Sequence, residues 1–165
     1  MSADSKPVVK GTSKIEAQAQ PQDDAQTLEE LKIYESGRWA GQPLPKPLDE
    51  TKLGAEERKI FQRATARWKA LADYDLAKVY SFATPAYRKT HPQKHLNSQY
   101  HNKVDRKGVD IVELKFSNEQ KTEAKLRIKL KFQMFQSNMQ SIEGISWETD
   151  TWVKVDGQWW YVEPK

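Results

Sequence analysis

The sequence predicts an α+β fold in which N-terminal helices pack on a curved, mainly antiparallel sheet. Three observations support this prediction. Apolar residues recur at helical spacing through residues 55–83, and from residue 124 to 134 apolar and polar residues alternate strictly. Asp156-Gly157, between two apolar runs, is a strong signal for a two-residue hairpin turn. Helices are therefore expected in the first half of the folded region and strands in the second.

Composition limits the class of protein. The chain has 165 residues, no cysteine and a net charge of +4, which fits one domain with an attached tail. The absence of cysteine excludes a disulfide scaffold, a zinc–thiolate site, an iron–sulfur cluster and thiol catalysis. No apolar run approaches the ~20 residues that are needed to cross a bilayer.

Charge and aromatic content divide the chain into three parts. Residues 1–50 hold 6 Lys/Arg and 9 Asp/Glu, whereas residues 51–165 hold 21 and 14. Residues 1–27 have no aromatic side chain and are predicted to be a disordered tail. Residues 28–52 are predicted to form an apolar, proline-containing arm, and residues 53–165 the folded domain. Trp39 makes the arm too apolar for a free linker, so it is either laid against the domain or a docking peptide for another protein.

Four helices are expected before the sheet. The first covers residues 55–74, and Asp75 is a good N-cap for a second helix over residues 75–83. A short third segment follows Pro85, and a fourth is expected around residues 93–102. The apolar side of the first helix is formed by Ile60, Phe61, Ala64, Trp68, Leu71 and Ala72.

Four strands are expected, over residues 112–116, 124–134, 145–155 and 159–163. Favourable pairing of opposite charges across strands suggests their register. The suggested register places Leu114 opposite Ala124, Leu126 opposite Thr151 and Val153 opposite Trp160. The basic residues at 125–131 then face Asp150 and Glu148, which favours a solvated salt-bridge ladder over a nucleic-acid groove.

The same register places three large aromatic side chains, Trp152, Trp159 and Tyr161, on the outer face of the sheet together with Ile111. Large aromatic side chains on a wet surface need a cover. The candidates are a second copy of the protein, the arm that contains Trp39, or a partner protein.

Two segments resemble nuclear transport factor 2-like, or SnoaL-like, domains. Residues 57–88, with Arg67-Trp68-Lys69-Ala70-Leu71, are similar to the opening helices of that family, and residues 152–162 are similar to its closing hairpin. The resemblance covers residues 54–163 and is nearest to uncharacterised bacterial members, many of them exported or lipid-tethered. It implies a cone of helices and sheet that can hold a small ligand, and dimers formed through the sheet.

Catalysis is not favoured by the predicted inner face. Enzymes of that family place an Asp, His or Tyr inside the cone, whereas no carboxylate or histidine falls on the inward positions predicted here. Polar or aromatic groups that could line a pocket are Trp68, Tyr80, Tyr87, Trp147, Thr149 and Thr151. For the four hydroxyl side chains among them, a hydroxyl satisfied within a packed core is favoured over ligand contact. His91 and His95 flank Pro92 and are interpreted as a surface pair. No metal site and no cofactor are predicted.

Two function classes remain open. The first is a non-catalytic binding or assembly module that contacts a protein partner or a second copy through the outer face and the arm. The second is a small-molecule pocket protein, with weak isomerase or hydrolase activity as one form of it. A filled cone favours the first and an open cone the second. If the chain is a processed form with a lost N-terminal membrane tether, we expect it to be periplasmic or lipid-anchored, and otherwise cytoplasmic.

Overall fold

The computed structural model describes residues 44–100, 104–135, 137–138 and 140–165. Helices pack against a four-stranded antiparallel sheet, so the predicted α+β class is confirmed, and the architecture is consistent with a nuclear transport factor 2-like fold. The predicted tail and residues 28–43 of the predicted arm, including Trp39, lie outside the described residues. The domain boundaries stay predictions.

In the described residues the helical layer begins with a 3₁₀ turn, Glu50–Lys52, and continues with four helices. They are α1 (Ala55–Ala72), α2 (Leu76–Ser81), α3 (Pro85–Thr90) and α4 (Gln93–Asn97). The Asp75 carboxylate accepts the Lys78 backbone N–H at 3.2 Å, which confirms this N-cap. The fourth helix is shorter than the expected 93–102. No helix of the described ranges is long and apolar enough to span a membrane.

The sheet has the order β1-β2-β3-β4. Its strands are β1 (Val104–Phe116), β2 (Glu123–Phe135), β3 (Ser141–Val155) and β4 (Gln158–Tyr161). β1 is therefore much longer than the predicted strand at 112–116. Asp156 and Gly157 have φ values of 52° and 80°, both in the left-handed region that a two-residue hairpin turn requires.

The register is as predicted in one of three strand pairs. Val153 lies opposite Trp160, as expected. Leu114, however, lies opposite Leu126, two residues from the predicted partner. Leu126 lies opposite Asp150 rather than Thr151. This single-residue shift between β2 and β3 turns every β3 side chain to the other face.

We call the sheet face that packs on α1 the inner face and the opposite one the outer face. The even-numbered residues of β2 from Ala124 to Leu130 are buried on the inner face, as the alternation predicted. A bulge between Ile111 and Glu113 reverses the alternation in β1. Ile111 is therefore only 4% exposed and belongs to the core, not to the outer face as predicted.

The shift also changes the surroundings of the basic residues of β2, which we call the basic row. The row consists of Lys125, Arg127, Lys129 and Lys131, and it lies opposite Thr151, Thr149, Trp147 and Ile145 of β3. Asp150 and Glu148, the predicted partners on β3, therefore lie on the inner face, away from the row. Among the described strands, acidic residues stand opposite the row on β1, where Asp110 pairs with Lys129 at 3.5 Å and Glu113 lies opposite Arg127.

Glu56, in the first turn of α1, ties this helix to the sheet. Its carboxylate accepts the Trp159 indole N–H at 3.0 Å and ion-pairs with Lys154 at 3.1 Å and with Lys59 at 3.1 Å. The hydrogen bond from Trp159, followed by those from Lys154 and Lys59, lowers the pKa of Glu56 to about 2. The carboxylate is thus stabilised in its charged form.

Replacing Glu56 with glutamine should remove a pH-dependent part of the stability. Because the folded-state pKa lies below the ordinary value of 4.5, the contribution is full above pH 4.5 and is lost as the pH falls towards 2. We expect Glu56→Gln to cost on the order of 1 kcal/mol at pH 7, reduced by the partial exposure of the side chain. Urea unfolding of the parent and of Glu56→Gln at pH 7, 4 and 3 measures this difference in the free energy of unfolding.

Glu57→Gln, at the next position of the same turn, is the control, because glutamine can still accept the Gly54 N–H that Glu57 accepts at 2.8 Å. Equal pH dependence in Glu56→Gln and the parent would show that the Glu56 contacts do not stabilise the fold.

Candidate functional site

A cleft of about 340 Å³ opens between α1 and β1. Its apolar wall consists of Phe61 and Trp68 from α1 together with Val109 and Ile111 from β1, and Pro47 also lines it. Phe61 and Trp68 are seven positions apart, two turns of helix, and so lie on the same side of α1. The cleft is therefore built from the inner face of the sheet and the apolar stripe of the longest helix.

The edge of the cleft is mostly basic. Lys69, Arg106 and Lys107 line it, and Asp110 also lines it, although its carboxylate pairs with Lys129 of the basic row. Lys69 pairs with Asp73 at 2.7 Å, and Lys107 pairs with Asp105 at 3.0 Å. Arg106 is half-buried, and no carboxylate of the described residues lies within ion-pair distance of it. Its guanidinium lies 5.8 Å from the centre of the Tyr100 ring, and burial lowers the pKa of Arg106.

A buried polar cluster surrounds Arg67, the residue before Trp68. Arg67 is 1% exposed. Its guanidinium donates to the Tyr100 hydroxyl at 3.0 Å, lies 3.4 Å from the centre of the Tyr161 ring and is 3.8 Å from the Glu163 carboxylate. Residues from α1, the segment after α4 and the C-terminal end of β4 thus meet around one cation.

Asp150 completes the cluster and connects it to the cleft. It is 1% exposed and accepts the Trp68 indole N–H at 2.8 Å. Since the Trp68 ring also lines the cleft, one side chain contacts both the cleft and the buried carboxylate. A group bound against this ring would therefore lie one side chain away from Asp150.

Burial dominates the electrostatics of the cluster. It raises the pKa of Asp150 and that of Glu163, although Arg67 acts in the opposite direction on both. Burial alone would lower the pKa of Arg67, but Tyr161, Tyr100 and the two carboxylates together leave it raised. The arginine therefore stays charged while both acids hold protons more tightly than usual. Among the described residues, neither Arg67 Nε nor the oxygens of Glu163 have a hydrogen-bond partner.

The predicted pocket residues are dispersed. Trp68 lines the cleft, whereas the Tyr80 hydroxyl donates to the His91 carbonyl at 2.6 Å and helps to hold the end of α3. Tyr87 stacks on His91 at 4.4 Å. Trp147, Thr149 and Thr151 lie opposite the basic row on the outer face. The inward orientation predicted for these three residues is therefore wrong, because of the one-residue shift.

The predicted interface residues are also on the other face. Trp152 and Trp159 are fully buried and Tyr161 is 6% exposed. Trp152 packs edge-on against Phe82 at 6.4 Å and against Tyr161 at 5.8 Å, while Trp159 lies 6.2 Å from Phe116. The protein's own helices and strands thus provide the cover that was expected from a second copy, the arm or a partner.

Sequence reasoning missed the three charged residues of the cluster, Arg67, Asp150 and Glu163. Asp150 and Glu148 were assigned to the outer face by the wrong register, which was also the reason for expecting no inward carboxylate. The only signal for Asp150 was its place two residues before Trp152, on the face that the tryptophan shares. Nothing in the local sequence marks Arg67, which lies between Ala66 and Trp68 on the edge of the apolar stripe.

The histidine pair lies at the surface side of the helical layer. The rings of His91 and His95 are 4.9 Å apart and tilted by 46°. Within the described ranges, no group of three or more His, Cys, Asp or Glu side chains is arranged to hold a metal ion.

Comparison with known proteins gives fold likenesses only. No family model matches the chain, and no curated protein matches it. A SEC-C motif containing protein from Rhodopseudomonas palustris is similar over 62% of this chain and 74% of its own, with 16% identity and a TM-score of 0.49. The association domain of CaMKII from C. elegans is similar over 65% of this chain and 91% of its own, with 15% identity and a TM-score of 0.43. Membership of the SnoaL-like family stays a prediction.

Proposed function

We propose that the protein is a non-catalytic binding module whose cleft between α1 and β1 holds a small molecule with an apolar body and an anionic group such as a carboxylate. The observation that supports this most is the cleft itself, which has about 340 Å³, an apolar wall and a basic edge. Small-molecule sites typically have volumes of about 300–1,000 Å³, with mostly apolar walls and few polar groups. Since an open cone favours a small-molecule pocket protein and a filled cone favours an assembly module, the open cleft also supports the first of these two classes.

The two walls would recognise different parts of the ligand. The Trp68 ring, which is 6% exposed, forms part of the apolar wall, and its orientation is fixed by its hydrogen bond to Asp150. Arg106 offers a planar guanidinium that matches a carboxylate in a two-point contact. Because Arg106 is half-buried, its attraction to an anion is less screened than that of the two exposed lysines.

Binding without proton transfer fits the placement of the acids. Asp110, the acidic residue among those lining the cleft, is paired with Lys129 at 3.5 Å. Asp150 is separated from the cleft by the Trp68 indole, whose N–H it accepts as a hydrogen bond. A weak isomerase or hydrolase would need one of these groups to reach the ligand, so binding alone is the simpler proposal.

Phenylacetate and hexanoate, each compared with its neutral amide, test the proposal by titration calorimetry. We expect both acids to bind and the amides to bind at least about tenfold more weakly, since the amides lack the charge that Arg106 attracts. Arg106→Met should weaken acid binding by a similar factor. Lys107→Met is the matched control, because its ammonium is already paired, and it should change binding less than threefold.

Equal binding of acids and amides would contradict the anionic part of the proposal. Absence of binding by all four compounds, with the far-ultraviolet circular dichroism spectrum of a folded chain, would contradict the assignment of the cleft to small apolar acids.

Assembly through the sheet is the second candidate function. It is favoured by three exposed apolar side chains at the far end of the β2–β3 hairpin, Met134, Phe135 and Ile142, of which Phe135 is 53% exposed. Met134 and Ile142 lie directly opposite each other, so these two form one patch that a second copy could cover, whereas Phe135, the next residue along β2, projects from the other face. Sedimentation velocity detects such self-association directly.

A further inference from the structure

The outer face of the sheet combines positive charge with apolar surface. The basic row of β2 lies beside Ile145 and Trp147 of β3, on the face opposite to α1. Lys129, in the middle of the row, is only 9% exposed. A lysine this little exposed on the side of the sheet away from α1 indicates a packed surface rather than a freely solvated one.

The described part of the chain reaches the edge of this sheet at Leu48. The Leu48 backbone N–H donates to the Ile111 carbonyl of β1 at 2.8 Å, so the preceding residues depart from the free side of β1. Neighbouring strands are about 4.8 Å apart. The basic row on β2 is therefore two strand spacings, about 10 Å, from Leu48, and Trp147 on β3 is three, about 14 Å.

The segment that precedes this point has the complementary composition. Residues 23–35 carry five carboxylates and one lysine, a net charge of −4, and their apolar residues include Leu28, Leu31 and Tyr34. Trp39 follows between this segment and residue 44. The basic and apolar features of the outer face thus have acidic and apolar counterparts in one stretch of the same chain.

We propose that residues 23–35 dock on the outer face of their own sheet, with their carboxylates along the basic row and their apolar residues against Ile145 and Trp147. The nine residues from Ser36 to Leu44 can extend over about 30 Å, which is about two to three times the distance from Leu48 to β2 and β3. A tethered segment of this length has a millimolar effective concentration at the face.

A second copy is a poorer occupant of the same face. Two outer faces meeting around a two-fold axis would bring two basic rows together, and like charges across an interface are repulsive. A separate acidic protein or a nucleic acid would have to displace a complementary segment that is already attached. The arm of the same chain is therefore the occupant that the charges favour.

Disulfide trapping tests the proposal in the full-length protein, since the chain has no cysteine of its own. Ile33→Cys combined with Thr149→Cys places one thiol on the arm and one at an exposed outer-face position. Ile33→Cys with Lys78→Cys is the matched control, because Lys78 is exposed on α2 in the helical layer. We expect the first pair to oxidise within one chain at least tenfold faster than the second.

Charge reversal supplies a second measurement on the same pair. Lys125→Glu with Lys131→Glu should slow the trapping severalfold, and Glu29→Lys with Glu30→Lys should restore it in that background. Equal trapping rates in the two pairs would leave the face to another partner and overturn the proposal. Disulfide-linked dimers as the main product would assign the face to the arm of a second copy, and also overturn it. Unchanged rates after charge reversal would rule out recognition through the basic row.

Discussion

Replacing Trp152 with alanine should lower the free energy of unfolding by about 3–5 kcal/mol, the range for removing a large buried aromatic side chain. The Trp152 ring is fully buried, and it packs against Phe82 from the helical layer and Tyr161 from β4. The loss would take a large part of the about 5–15 kcal/mol that stabilises a typical domain. Urea unfolding followed by circular dichroism measures it.

Trp147→Ala is the matched control, because it removes the same side chain from the same strand on the opposite face. Trp147 is only half-buried, so we expect its loss to cost at least about 2 kcal/mol less than that of Trp152. The register suggested by charge pairing predicts the reverse order. A larger effect at Trp147 than at Trp152 would therefore contradict the observed pairing of β2 with β3.

The element types were predictable from the sequence because each rests on a periodic pattern that burial enforces. The 3.6-residue period gave α1, and the strict alternation from Ala124 to Met134 gave β2 and its buried side. The register of β4 was predictable for a local reason. A two-residue turn at Asp156-Gly157 leaves only one pairing of the residues beside it, so Val153 had to meet Trp160.

The register of β2 with β3 was not predictable from the pairing of opposite charges, because exposed ion pairs contribute little energy. An exposed cross-strand ion pair contributes about 0–1 kcal/mol, whereas burying a tryptophan contributes several times as much. The observed register gives up the pairs of Arg127 with Asp150 and of Lys129 with Glu148. In return it places Trp152, Trp159 and Tyr161 in the core, at the loss of Trp147, which it turns to the outer face.

The candidate site was not predicted because of the same one-residue error in the register of β2 with β3. In the predicted register the β3 side chains are on the wrong faces, so Asp150 faces solvent and Trp68 has no hydrogen-bond partner. The correct register brings a carboxylate into the core, a placement that sequence patterns disfavour because a buried charge needs a partner. Its direct partner is the Trp68 indole, and the cation that acts on it is Arg67, 83 positions earlier in another element. No local pattern connects these residues.

Replacing Arg67 with methionine should cost about 3–5 kcal/mol near neutral pH, the usual result of removing one member of a buried ion pair. Methionine fills much of the same volume, so the loss reports mainly on charge. Without the guanidinium, Asp150 and Glu163 lose the cation that opposes the effect of burial on their pKa values. Those values should rise further, and the folded state should then bind protons that the unfolded state releases.

The sign of the pH dependence follows from that difference in bound protons. Where the folded state binds more protons than the unfolded state, stability falls as the pH rises. The deficit of Arg67→Met should therefore be largest at pH 8 and smaller at pH 5, closer to the ordinary carboxyl values of 3.8 and 4.5. Urea unfolding at both pH values measures it, and pH 5 is the condition for purification if the variant unfolds at pH 8.

Arg67→Met combined with Glu163→Gln separates charge from packing. If the cost arises from leaving a carboxylate buried without its cation, neutralising Glu163 should return part of the lost stability at pH 8 and little at pH 5. Arg63→Met, one turn earlier on α1, is the control for removing a guanidinium that contacts aromatic rings, since Arg63 lies 4.9 Å from the centre of the Phe82 ring. Equal deficits at pH 5 and pH 8 would show that Arg67 acts by packing alone, because an uncompensated carboxylate cannot cost the same when it is protonated.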